Sequence, residues 1–323
     1  MIDFRYHLVS LISVFLALAV GIVLGAGPLR EGIGDTLTGQ VEVLRADRDQ
    51  LRADLEERTV DSNDRDAWIS TMGAQVSAGT LTGRTVAIVV LPDATDDDVN
   101  AVADVLGSAG AQVTAQVRLT DAWTTSDASF RQTFAQQLAG YLNPAPAADA
   151  GPEGIMALAI AQMLQGWAGA DNPNPGILAE LLRGGDSPFI ALDTDPTAAA
   201  GSVVVIGPRP TPEPAADATP TETAAVTADV DHVQMISAFA RTLPTVTVGA
   251  AEELILLLRE AGVPTTTIDS IGEVPATVSV PLAVAAELGG THGRYGSAPS
   301  ANDPVPPLVS LTALQPTPEA TAG

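Results

Sequence analysis

The chain has 323 residues, enough for one or two domains with a sizeable core, and 46% of them are hydrophobic, much of that share being alanine. Its 39 acidic residues stand against 15 basic ones, all arginine, for a formal net charge of -24; this argues against nucleic acid, where neutralising phosphates supplies most of the affinity, and against binding anionic headgroups by charge. The chain lacks cysteine, which excludes a disulfide framework, a thiolate metal site and a cysteine nucleophile.

The first predicted element is apolar. Leu8 to Ala26, LVSLISVFLALAVGIVLGA, carries no charge, and at ~1.5 Å per helical residue it spans about 28 Å, close to the hydrocarbon thickness of a bilayer. Phe4, Tyr6 and His7 precede it, where interfacial groups belong. Residues 1–30 therefore read as a membrane helix, either an anchor or an uncleaved signal. Gly25-Ala26-Gly27 has the small residues of a cleavage site, but a lone arginine ahead of a long apolar run favours retention. The expected topology is single-pass in a membrane of the cell envelope, with the bulk of the chain extracytoplasmic.

A turn is predicted at Gly32 and Gly34, then a helical stalk within residues 31–82. With Val41 at heptad position a, Leu44 and Leu51 fall at d and Leu55 at a, with Arg48 interrupting at one a position. Arg45 and Arg52 then occupy e, Asp47 and Asp54 g, so in a parallel pair Asp47 faces the partner's Arg52. The pattern fits a short parallel coiled coil that makes a homo-oligomer, a dimer. An amphipathic helix lying on its own domain would carry the same pattern.

Residues 83–296 read as an α/β domain with a mostly parallel sheet. The β-branched run Thr85–Leu91 is a buried strand, Thr95 caps a helix with Asp98 in capping-box position, and Ala111–Leu119 is the next strand, which makes a βαβ unit. Helices are predicted at Asp127–Tyr141 and Pro152–Trp167, and strands at Phe189–Leu192 and Ser202–Ile206. A Pro/Thr/Ala/Glu loop without order is expected at 208–227. There follow a helix at Ala228–Leu243, a strand at Thr245–Val248, a helix at Ala250–Ala261, a strand at Thr265–Ile268 and a helix at Pro281–Leu288. The Pro- and Ala-rich tail, 297–323, is expected to be disordered.

Ligands of such a sheet sit beyond the carboxyl ends of its strands. Those ends offer Asp93, Asp193, Asp195, Arg209 and Gly249, as a hard-cation site or, more simply, as turn residues. Gly249-Ala250-Ala251-Glu252 lacks the dinucleotide glycine pattern, and the chain has no P-loop, G-x-S-x-G or H-E-x-x-H motif. Asp61 to Asp66 opens like a calcium loop but has Arg65 at the fifth position, Asp66 at the sixth and Met72 at the twelfth. Asp96-Asp97-Asp98 is favourable charge at a helix N-terminus. Soft metals prefer histidine and methionine. His232 and Met235, three apart on a predicted helix, are the weak candidates for a metal. His7, His292, Met72, Met156 and Met163 default to core or surface roles.

Met1-Ile2-Asp3-Phe4-Arg5-Tyr6-His7, running into Phe15-Leu16-Ala17-Leu18-Ala19-Val20-Gly21-Ile22-Val23-Leu24-Gly25, resembles the start of the mycobacterial copper transport protein B family. Thr267-Ile268-Asp269-Ser270-Ile271-Gly272 and Gly293-Arg294-Tyr295-Gly296 resemble its C-terminal signatures. The resemblance covers most of the chain and implies a cell-envelope protein of copper export or tolerance, described for the family as an outer-membrane channel. It brings no site residues. A transmembrane barrel needs many alternating strands with aromatic girdles, whereas this chain has 4% aromatics, so the N-terminal helix is the one membrane-embedded route visible in the sequence. The expectation is a membrane-tethered protein of copper ion export and homeostasis, without enzymatic chemistry or cofactor, with copper ions among its partners. The alternative is a structural or interaction scaffold of the envelope. A hydrolase or nucleotide-binding enzyme using the strand-exit crevice is a third reading.

Overall fold

The computed structural model describes residues 4–26, 28–148, 150–166, 174–210, 222–251 and 253–311. The chain divides into two units, Met1–Arg65 and Asp66–Gly323.

The first unit is helical. α1 (Phe4–Ala26) is apolar on every side, and its described side chains are exposed. Its Ser13 hydroxyl donates to the Val9 carbonyl at 2.6 Å, which satisfies that polar group within the helix. α2 (Pro28–Ser77) has proline at its first position, where the missing N–H costs nothing. It runs through Gly32 and Gly34, where the sequence predicts a turn. A glycine costs a helix only about 1 kcal/mol, and here the glycines do not interrupt it. Along α2 the predicted heptad residues Leu44, Leu51 and Leu55 stand 66%, 62% and 63% exposed.

In the second unit the end of α2 meets the body, where Gly73 packs against Val278 so closely that a Cβ would lie 2.7 Å from the valine's. Then come β1 (Thr85–Val90), α3 (Asp96–Ser108), β2 (Gln112–Leu119), α4 (Ala122–Thr125), α5 (Ala128–Ala139), α6 (Pro152–Gly166), α7 (Asn174–Arg183), β3 (Ile190–Thr194) and β4 (Ser202–Ile206). α8 (Glu222–Ala240), β5 (Thr245–Val248), α9 (Leu254–Glu260), β6 (Thr266–Ile268), α10 (Val274–Leu288) and β7 (Arg294–Tyr295) complete it.

The strands form one sheet in the order β3-β2-β1-β4-β5-β6-β7, parallel throughout except for β3, which runs against β2. The β-branched runs of β4 and β5 are buried from end to end, as strands with helices on both faces must be. Residues of β1 alternate between two cores. Ala87 and Val89 join α5 to α9 on one face, and Val86, Ile88 and Val90 join α3 and α10 on the other.

The fold class is as expected: an α/β chain with an N-terminal apolar helix and a mostly parallel sheet. Several details differ. α4, α7 and β7 are additions. α10 begins at Val274 rather than Pro281, which lies inside it, and the burial of Ala276, Val280, Ala283 and Val284 outweighs the hydrogen bond that proline removes. α8 begins at Glu222, inside the predicted loop, whose residues 211–221 lie outside the described ones, as does the predicted helix end at Trp167. Ser297 to Leu311, expected as disordered tail, lie on the body. The Ser297 and Ala298 amides donate to Asp269 at 2.8 and 3.2 Å, and Leu311 packs on the α10 side of the core. Residues 312–323 lie outside the described ones.

Candidate functional site

Strand order reverses between β1 and β4, which both neighbour each other and lead away in opposite directions, and there a doubly wound sheet opens its ligand crevice. Here that point is filled by the chain's own charges. Arg209, just past β4, donates from Nε to Asp98 Oδ2 at 2.8 Å and from Nη2 to Oδ1 at 2.9 Å. Asp98 is also the capping-box residue of α3. Its amide donates to Thr95 Oγ1 at 3.3 Å, and the threonine hydroxyl donates back to Oδ2 at 2.8 Å. Burial pushes the Asp98 carboxyl up, but the hydrogen bonds from Arg209 and Thr95 and the arginine's charge hold it below the usual carboxylate range. From the other side Gly272, at φ +90°, presses on the guanidinium, and a Cβ there would lie 2.8 Å from Arg209 Nε. Turns after β1, β4 and β6 are thus joined by one bidentate ion pair.

The other strand-exit residues do not converge. Asp93 is exposed, with φ +62°. Asp193 lies on β3 and pairs with Arg118 at 3.0 Å, which also holds Asp96 at 2.7 Å. Asp195 sits 3.9 Å from Arg183. Gly249 packs against Ile255. Among the described residues no group of three or more histidine, aspartate and glutamate side chains is placed to hold a metal.

The two C-terminal signatures meet at a second buried pair. Arg259 of α9 reaches Asp269 at 3.2 Å, with side-chain exposures of 2% and 0%. The arginine also donates to Thr267 Oγ1 at 3.0 Å and to the Tyr295 carbonyl at 3.0 Å. Asp269 further accepts from Ser270 Oγ at 2.9 Å as well as from the two amides of the tail. Gly296, at φ +130°, lies so close that any Cβ would overlap the Asp269 carboxylate. In these signatures a sequence reading sees a resemblance only. The detectable signal was Arg259, a basic residue directly ending the apolar run Leu254–Leu258.

A third charged cluster lies on the opposite face. Arg131 of α5 lies 3.2 Å from Glu153 of α6 and 3.5 Å from Asp231 of α8, and donates to the carbonyls of Trp123 and Thr124 at 3.1 and 3.2 Å. Burial and the neighbouring Glu153 charge raise the Asp231 carboxyl, against Arg131. Next to it, the weak metal candidate His232 is buried and its Nε2 has no hydrogen-bond partner, and burial pushes the imidazole down to about 4. Met235 is fully buried in the core that also holds Met156 and Met163. His292 stands elsewhere, 2.9 Å from Glu287, while Met72 is on α2 and His7 on α1. His232 and Met235 thus share α8.

The chain matches the family described as "Copper transport outer membrane protein, MctB" over residues 1–306. It is 34% identical over 129 residues to proteins named Copper transporter MctB from Mycobacterium bovis and Mycobacterium tuberculosis, and 36% identical over 129 residues to that of Mycobacterium leprae. Each match covers 40% of this chain and spans 41% of the relative's length.

Proposed function

Because the chain belongs to the MctB family of copper transport outer membrane proteins, we propose that it is a membrane-tethered protein of the cell envelope that serves copper ion export and homeostasis, without catalytic chemistry of its own. The observation that carries this reading is α1. From Phe4 to Val23 it is long and apolar enough to cross a bilayer, with none of that surface buried in the protein. Arg5 stands in the first turn of α1 and Arg30 follows it, with Glu31 and Asp35 beyond, so an extracytoplasmic body is supported by the tendency of long downstream domains to translocate whatever the local charge. Residues 31–82 act as a coiled-coil stalk holding two copies, and residues 83–296 as the domain it carries.

Copper is the cargo in this reading. For direct contact the proposed soft donors are His232 and Met235. Burial keeps the imidazole neutral, the form that ligates a metal. The described strands are covered by helices on both faces, and α1 is the membrane-embedded segment of this reading.

The test is copper accumulation in cells lacking the protein. Accumulation is expected to rise and to be restored by the full chain but not by one lacking residues 4–26. Unchanged accumulation overturns the transport reading and leaves the scaffold, which the self-filled crevice at Asp98 and Arg209 favours. Full chain in detergent that holds Cu(I) no more tightly than its His232→Ala, Met235→Leu variant removes direct contact through that pair.

A further inference from the structure

Extended helices in water rarely leave a row of leucines uncovered. On α2 the exposed Val41, Leu44, Leu51 and Leu55 lie on one a/d seam. Its charges are complementary to those of a second copy in parallel register. Asp47 at g faces Arg52 at e, and the same g position flanks a, where Arg48 stands. Among the described residues of the single chain Arg48 pairs with its neighbour Asp49, at 2.6 Å on the surface. A second Asp47 therefore faces Arg52 and flanks Arg48. An antiparallel pair loses this match, because g then faces g and e faces e.

The seam is short. Beyond Leu55 the frame meets Arg58, Ser62 and Arg65, so about two heptads are apolar, too few to hold two chains together from dilute solution. Counted back by heptads, the frame reaches Val20 and Ser13 at a, Leu16 and Val9 at d. These four residues, with Ile12 and Ala17 beside them, line an open groove along α1. Between groove and stalk the same frame puts Gly34 at a and Arg30 and Leu37 at d.

Resting on the stalk reading above and extending it into the bilayer, we propose that a second, parallel copy of this chain covers both the groove from Val9 to Val20 on α1 and the seam from Val41 to Leu55 on α2, so that membrane helix and stalk share one two-stranded partner. Confinement by α1 raises the effective concentration of the stalks, and the stalks fix the register of the spans.

The chain has no cysteine, so single cysteines report cleanly. Full-length Ser13→Cys, Leu16→Cys, Leu44→Cys and Leu51→Cys variants, and Leu18→Cys and Ala46→Cys at outward f positions, are oxidised with iodine in membrane vesicles and read on non-reducing gels. The inward positions are expected to give roughly tenfold more covalent dimer than the outward ones, with yield following the heptad. Asp47→Arg should lower the Leu51→Cys yield, and Arg52→Asp added to it should restore much of it. Equal yields on both faces overturn the interface and the stalk reading with it. Dimers from Leu44→Cys and Leu51→Cys without dimers from Ser13→Cys or Leu16→Cys overturn the pairing along α1 alone, with lipid then filling the groove.

Discussion

Asp269 is clasped by Arg259 from one side and by the Ser297 and Ala298 amides from the other, so one fully buried carboxylate locks α9, β6 and the segment after β7 together. Removing one member of a buried pair leaves an uncompensated charge, which typically costs about 3–5 kcal/mol. Asp269→Ala should therefore destabilise the second unit by that order, and Asp269→Asn, which keeps an acceptor for an amide, by less. Denaturant unfolding of the full chain measures both. An Asp269→Ala loss under about 1 kcal/mol, the scale of an exposed pair, would contradict the lock.

Two glycines, one at this lock and one in α3, stand in opposite situations. Gly296 needs its φ of +130° and has no room for a Cβ beside Asp269, whereas Gly107, inside α3, has nothing within 4 Å. Gly296→Ala should cost several kcal/mol, in the range of severe single substitutions. Gly107→Ala should stabilise by about 0.5–1 kcal/mol through helix propensity. Thermal melts of the two variants, run side by side, check the contrast.

His232 sets an acid limit. Its folded pKa is pushed down to about 4 from 6.5 by burial, so below 6.5 the unfolded chain binds the proton that the folded chain refuses. Stability is therefore full above that value and falls as pH drops toward 4, by about 3 kcal/mol in total at 1.36 kcal/mol per pKa unit. Asp231 works the other way: its raised pKa makes the folded chain take up a proton more readily than the unfolded chain near the ordinary carboxylate range. His232→Gln should flatten the pH dependence of unfolding between 6.5 and 4. An unchanged slope would show that the imidazole is not buried in solution.

Local rules carried the sequence far where they were strong. β4 and β5 follow from unbroken β-branched runs, and Thr95 marks the start of α3 through its capping box. The apolar N-terminal helix is plain from composition. What local pattern does not encode is pairing across distance. The arginines that matter, Arg131, Arg209 and Arg259, look like ordinary surface charges until the fold sets them on Glu153 and Asp231, on Asp98 and on Asp269. The reversal of β3 was equally hidden, since an edge strand reads the same in either direction. Of the residues expected beyond the carboxyl ends of parallel strands, Asp193 lies on β3 itself and Asp195 follows a strand that runs the other way, and only Arg209 took a central position, by closing the crevice.

That closure is itself testable. Thr95 and Asp98 bond to each other in both directions, and Asp98 carries the bidentate Arg209 as well. Thr95→Ala should cost about 1 kcal/mol as a lost helix cap. Asp98→Ala should cost more, because it removes the cap partner and the tie to the turns after β4 and β6. Since one network contains both residues, the double variant should lose less than the sum of the singles, a non-additivity of about 0.5–3 kcal/mol. The acid response supplies a second readout. The folded pKa of Asp98 lies below its ordinary 3.8, so its contribution is present above 3.8 and fades as pH falls through the lower folded value. Asp98→Ala should abolish that part of the acid loss while leaving the His232 part, which lies at higher pH, in place. Strict additivity of Thr95→Ala and Asp98→Ala in urea unfolding would mean that cap and ion pair act separately and that the switch point is not held as one unit.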